Sequence, residues 1–98
     1  MRILTGVSAV LCAAHSSREG VLHGHTWQVT AWWYDEPDAV EKQRELNHYL
    51  KMYDHSVLPD GLARGECLAR VVLHAMGCCK VEVSRPLEGI HALVEWYR

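Results

Sequence analysis

Seven histidines occur in 98 residues, and three of them are spaced for shared chemistry. His23 and His25 flank Gly24 in "LHGHTW", at the start of an aromatic-rich apolar run. In an extended strand, residues i and i+2 project to the same face. Gly24 permits close backbone approach between the two imidazoles. His15 ends the preceding apolar run, and a hairpin would bring it back beside them. Three neutral imidazoles converging on one point are the ligand set of a catalytic zinc, with a fourth position open for substrate or water. The same residues also suit a plainer arrangement, with His15 and His23 as polar loop residues and His25 at a strand end, because H-x-H pairs arise by chance.

A second pair stands in "YDHS", where Asp54 adjoins His55 near the end of a helical stretch. A carboxylate beside an imidazole raises its basicity and orients it for proton transfer. A histidine at an ordinary helix C-terminus is the alternative, since it is favoured there by the helix dipole. His48 and His74 read as solvated helix positions, and His91 falls in an alternating strand where either role fits. The four cysteines, Cys12, Cys67, Cys78 and Cys79, show no C-x-x-C spacing. They read as reduced thiols of a cytoplasmic protein, with Cys12 and Cys67 as small core residues.

The elements that must position these groups are legible from period. Residues 3 to 14 are β-branched and small, as in a strand. In residues 25 to 35, Trp27, Val29, Ala31 and Trp33 alternate with Thr26, Gln28 and Thr30. The intervening "SSREG" has turn chemistry, so the two runs form an antiparallel hairpin. Asp35 and Pro37 then signal a helix start, and Leu46, Tyr49, Leu50 and Tyr53 recur at i, i+3, i+4 and i+7. "LPDG" turns. A second helix is expected from Ala63 to Met76, with Leu68, Val71, Val72 and Ala75 as its buried stripe and Gly77 as its stop. Residues 80 to 84 and 90 to 97 alternate again. The order is ββααββ: an α+β fold with two helices over one face of a four-stranded antiparallel sheet.

At this length residues 1–98 form one domain with one modest core. A net charge of -2 gives no electrostatic footprint for nucleic acid. Arg2 and "ILTGVSAVLCAA" have some signal-peptide character, but Thr5, Gly6 and Ser8 interrupt the run. No stretch is long and apolar enough to span a membrane. Open sheet edges on so small a chain favour a homo-oligomer.

The order "AAH … HGH … DH … E … VEV" resembles the 6-pyruvoyl-tetrahydropterin synthase family, which includes the 6-carboxytetrahydropterin synthases of queuosine biosynthesis. The resemblance runs from "SAVLCAAH" to the last strand, and Asp54-His55-Ser56-Val57-Leu58 matches a D-H-x-x-L element. It implies the T-fold (tunnelling fold), whose subunits assemble side by side into barrels, commonly a hexamer of two trimers. It implies zinc on His15, His23 and His25. It implies acid-base roles for Asp54 and His55, and a pterin contact for Glu66 at the start of the second helix. The implied substrate is 7,8-dihydroneopterin triphosphate or a related pterin, and the product a 6-pyruvoyl-, 6-carboxy- or 6-hydroxymethyl-pterin. Zinc would bind and polarise the side-chain hydroxyls while a base removes a proton.

Two positions depart from that pattern. The family's usual base is a cysteine four residues before the H-G-H; here the residue is Glu19. Glutamate at that place resembles the subgroup that forms 6-hydroxymethyl-dihydropterin, and burial raises a carboxylate enough to abstract a proton. A solvated Glu19 in a chain that has lost the reaction is the alternative. The family also anchors the pterin ring with a glutamate after its third strand, where this chain has Arg85, a donor only. Glu88, three residues on, is the candidate to take over. The other reading these departures support is an altered or inactive member that binds zinc or a pterin- or purine-like ligand. The chain is also shorter than is usual for the family, in the first hairpin loop and before the first helix.

Overall fold

Alternating small and β-branched residues build two long strands, and the rest of the molecule is arranged around them. In the computed structural model, β1 (Leu4–Ser16) pairs antiparallel with β2 (Leu22–Tyr34) along its whole length. The structure describes residues 1–16, 22–62 and 64–96, and of residues 15, 16, 22, 23 and 60 only the backbone. The expected hairpin turn, with Glu19, lies outside the described residues. After α1 (Ala39–Leu50) and α2 (Gly65–Met76), β3 (Lys80–Arg85) and β4 (Ile90–Glu95) complete a sheet of order β1-β2-β3-β4, antiparallel throughout.

Both helices lie on one face, α1 against β1 and α2 against β3 and β4. Odd-numbered residues of the first hairpin face them. Val7, Ala9, Leu11 and Ala13 of β1 and Trp27, Val29, Ala31 and Trp33 of β2 are all buried. Leu46, Leu50, Leu68, Val72, Val81 and Val83 close the same core. This is the ββααββ layer that the periodicity predicts.

Several local expectations are corrected. α1 begins at Ala39, not at Asp35 or Pro37, because Asp38 is its N-cap and accepts from the Glu41 amide at 3.2 Å. Asp35 instead adopts φ 66, and its N–H bonds to the Ile3 carbonyl. The buried face of α2 is Leu68, Ala69, Val72 and Leu73; Ala75 is exposed and Val71 only half-buried. The helix is rotated by about one residue toward the β3–β4 surface. There Gly65 approaches so closely that an added Cβ would fall 3.2 Å from the Ala92 Cβ. Gly77 does end α2, in the left-handed region.

Cys12 is not a core residue. Even-numbered positions of β1 face away from the helices, so Cys12 is exposed, and Cys67 is half-buried. The buried cysteines are the adjacent Cys78 and Cys79. Burial pushes the Cys78 thiol above its ordinary pKa, and the Cys79 thiol donates to the Trp32 carbonyl.

Candidate functional site

Two features of the backbone gather the singled-out residues at one end of the sheet. The first is register. His15 pairs with His23 across the β1–β2 ladder, and His25 pairs with Ala13. Residues directly opposite share a face in an antiparallel pair, as do residues two apart. Positions 15, 23 and 25 therefore share the helix-facing side of a hairpin end. That end extends beyond the β2–β3 pairing, whose terminal pair is Gln28 with Ser84.

The second feature is a return of the chain after α1. Residues 54 to 58 run along the outer edge of β1. The Ala14 amide donates to Ser56, the Leu58 amide to Ala14, and the His55 amide to the Cys12 carbonyl at 2.6 Å. His55 adopts φ 55, a left-handed conformation uncommon for a residue with a side chain. That turn lets its backbone pair with β1.

The Asp54 carboxylate uses both oxygens. Oδ1 accepts from the Cys12 amide at 2.9 Å, and Oδ2 from His55 Nδ1 at 2.8 Å. Chiefly the Cys12 amide, with a smaller contribution from His55, holds the Asp54 carboxyl below the usual carboxylate range. A carboxylate only accepts, so His55 carries its proton on Nδ1. Nε2 is then the acceptor, on a ring that is 80% exposed. Such a nitrogen can take a proton from a bound ligand.

His25 is held on both sides. Its Nδ1 lies 2.9 Å from Glu88 Oε1, and its Nε2 lies 3.0 Å from Arg85 Nη1. Glutamate accepts and arginine donates, so both contacts require the same tautomer: proton on Nδ1, lone pair on Nε2. Trp27, almost wholly buried, stands beneath both groups. It meets the His25 ring edge-on at 5.9 Å and carries the Arg85 guanidinium 5.4 Å above its own ring.

His25, His55 and Glu88 border a cleft of about 560 Å³, together with Cys12, Gly24 and Thr26. Glu66 stands apart from it. It lies in the first turn of α2, exposed and 3.7 Å from Arg64, and it borders a smaller cleft of about 240 Å³ with Trp27, Arg85 and His91. Arg85 and Trp27 line this smaller cleft and touch His25, which borders the larger one. Trp27 and the Cys12 amide are contributors that the sequence reading did not single out. The i+2 step from His25 to Trp27 carried the signal for the first; nothing in residue types marks a backbone amide.

Of the expected metal ligands, His25 alone has a described side chain, and its carboxylate partner has the form common beside metal-bound histidines. A histidine that ligates a metal commonly donates its other ring N–H to a carboxylate, as His25 does to Glu88. Among the described residues no three metal-binding side chains stand together, and His15 and His23 enter that description by backbone alone.

No protein-family model matches the chain. No curated protein matches it either. Among solved structures, 6-pyruvoyl tetrahydropterin synthase of Caenorhabditis elegans superposes with a TM-score of 0.80. The match covers 99% of this chain and 97% of the other, at 14% sequence identity. The chain has the pterin synthase fold. At that identity the likeness establishes architecture, and it matches the T-fold subunit that the "AAH … HGH … DH" order implies. Within that fold, the hairpin end and the return of the chain after α1 bring His25 and His55 to the border of one cleft, with Asp54 hydrogen-bonded to His55.

Proposed function

We propose that the protein is a zinc-dependent synthase or lyase acting on a pterin, 7,8-dihydroneopterin triphosphate or a close relative. One observation carries the reading. The His25 ring is oriented by Glu88 at the end of a hairpin where positions 15 and 23 face each other on the same side. His15, His23 and His25 would hold the metal, which when bound would polarise substrate hydroxyls.

The protein's own groups would do the rest. Glu88 fixes the His25 tautomer. Asp54 orients His55, whose Nε2 would accept or return a proton at the substrate side chain. Glu19 is proposed as the second base. Glu66 and Arg85, which share the smaller cleft, are proposed as contacts for the far end of the ligand. Which of the 6-pyruvoyl, 6-carboxy and 6-hydroxymethyl products forms would depend on the bond broken after proton removal. A 6-carboxy product would place the protein in queuosine biosynthesis. We also propose a cytoplasmic homo-oligomer, a hexamer of two trimers, formed through the edge of β4 and the part of the β1 edge that residues 54–58 leave uncovered. The exposed Val10, Ile90 and Leu93 on those strands support it.

The deciding experiment is product analysis of the zinc-loaded protein with 7,8-dihydroneopterin triphosphate. A pterin with a shortened or oxidised side chain, lost in His25→Ala, supports the reading. Unchanged substrate at stoichiometric enzyme overturns it.

A second reading has its own observation. Arg85 occupies the lone-pair side of His25, at the position where the family resemblance expects a ring-anchoring acceptor. That arrangement favours a binding protein on the same scaffold, one that holds a ligand without converting it. Retention of a dihydropterin in equilibrium dialysis, with no turnover, distinguishes it.

A further inference from the structure

We propose that Arg85 is a displaceable cation on the metal-facing nitrogen of His25, and that it sets the metal affinity of the site by competing for that nitrogen. The inference rests on the metal reading above. It concerns a residue that departs from the family pattern, and it follows from three contacts.

The first is the hydrogen bond itself. Arg85 Nη1 lies 3.0 Å from His25 Nε2 and can only donate to it. Zinc binds imidazole nitrogen at about 2.0–2.1 Å along the same lone pair. A guanidinium nitrogen and a zinc ion on that lone pair would lie about 1 Å apart. They exclude each other sterically, and two cations in one place repel.

The second contact makes Arg85 a durable competitor. Its guanidinium rests 5.4 Å above the Trp27 ring, a cation–π contact on a platform that is 2% exposed. The third makes withdrawal possible. Arg85 also borders the smaller cleft, which Glu66 lines as well. The guanidinium therefore has somewhere to go when the nitrogen is taken. Glu88 stays on Nδ1 in either state, because that contact leaves Nε2 untouched.

The test is zinc affinity, measured by competition with a chromogenic chelator on the full chain. Its subjects are wild type, Arg85→Ala, Arg85→Met and His25→Ala, with folding of each checked by circular dichroism. Arg85→Met keeps an apolar stem over Trp27 without the cation, so it decides the matter if Arg85→Ala does not fold. Zinc held about tenfold or more tightly by the Arg85 variants than by wild type is the expected result. Equal or weaker affinity in both, with wild-type zinc binding that His25→Ala abolishes, overturns the role of Arg85 and leaves the metal reading standing. No zinc held by any variant overturns both.

Discussion

His55 Nδ1 lies 2.8 Å from Asp54 Oδ2, while the other oxygen of that carboxylate takes the Cys12 amide at 2.9 Å. One side chain thus ties the return of the chain to the edge of β1 and fixes the imidazole that borders the cleft. The backbone of the same two residues does the complementary work, since His55 donates to the Cys12 carbonyl.

Stability should carry the signature of that carboxylate. Its pKa is lowered in the folded protein, so its contribution is present above the unfolded value of about 3.9 and is lost as pH falls through the folded value. Urea midpoints measured from pH 6 downward should decline through the acid range in wild type and more shallowly in Asp54→Asn. Parallel declines would show that Asp54 does not contribute.

The basic limb should show Tyr49. Burial, and secondarily its contact with Tyr53, pushes its phenol up to about 12. A raised value means that the contribution is complete below the unfolded pKa of about 10 and disappears as pH rises toward 12. An ultraviolet titration of phenolate should resolve a late-ionising tyrosine that is missing in Tyr49→Phe. A titration that shows the same steps in both would contradict the assignment.

Trp32 lies flat on Gly6 across the hairpin: a Cβ at Gly6 would fall 2.5 Å from the Trp32 ring. Gly6→Ala should therefore destabilise by about 1–3 kcal/mol, as overpacking does. Thermal denaturation should register a fall of about 4–8 °C per kcal/mol at this chain length. Gly61→Ala, where an added Cβ meets nothing within 4 Å, is the control and should melt close to wild type.

If His25 holds zinc as proposed, Glu88→Ala should loosen that metal without removing a ligand. It leaves His25 Nδ1 without its carboxylate, and loss of such a partner typically weakens metal binding about 10–100-fold. Chelator competition reads this directly. Affinity equal to wild type would mean that Glu88 does not orient His25.

Asp38→Ala removes the side-chain cap of α1, whose Oδ1 accepts from the Glu41 amide. The expected cost is about 1 kcal/mol, read from urea unfolding. The helix meets β1, so the loss should be global rather than a local fraying.

Much of this architecture was written in the order of residues. A period of two in Trp27, Val29, Ala31 and Trp33 can bury only one face of a strand, and that face is the buried one. Gly77 could end a helix in the left-handed region because it lacks a Cβ. The i, i+2 spacing of His23 and His25 predicts one side for both positions wherever the strand goes. What local chemistry could not specify were angles and long-range partners. The rotation of α2, which buried Ala69 and Leu73 and exposed Ala75, depends on a sheet surface built from residues far along the chain. The exposure of Cys12 follows from which face of the sheet the helices chose. The clamp of Glu88 and Arg85 on His25 joins residues about sixty positions apart. Only the closing of β3 beside β2 brings them within hydrogen-bond distance, and hydrogen bonds act over a few ångströms whatever the separation in sequence.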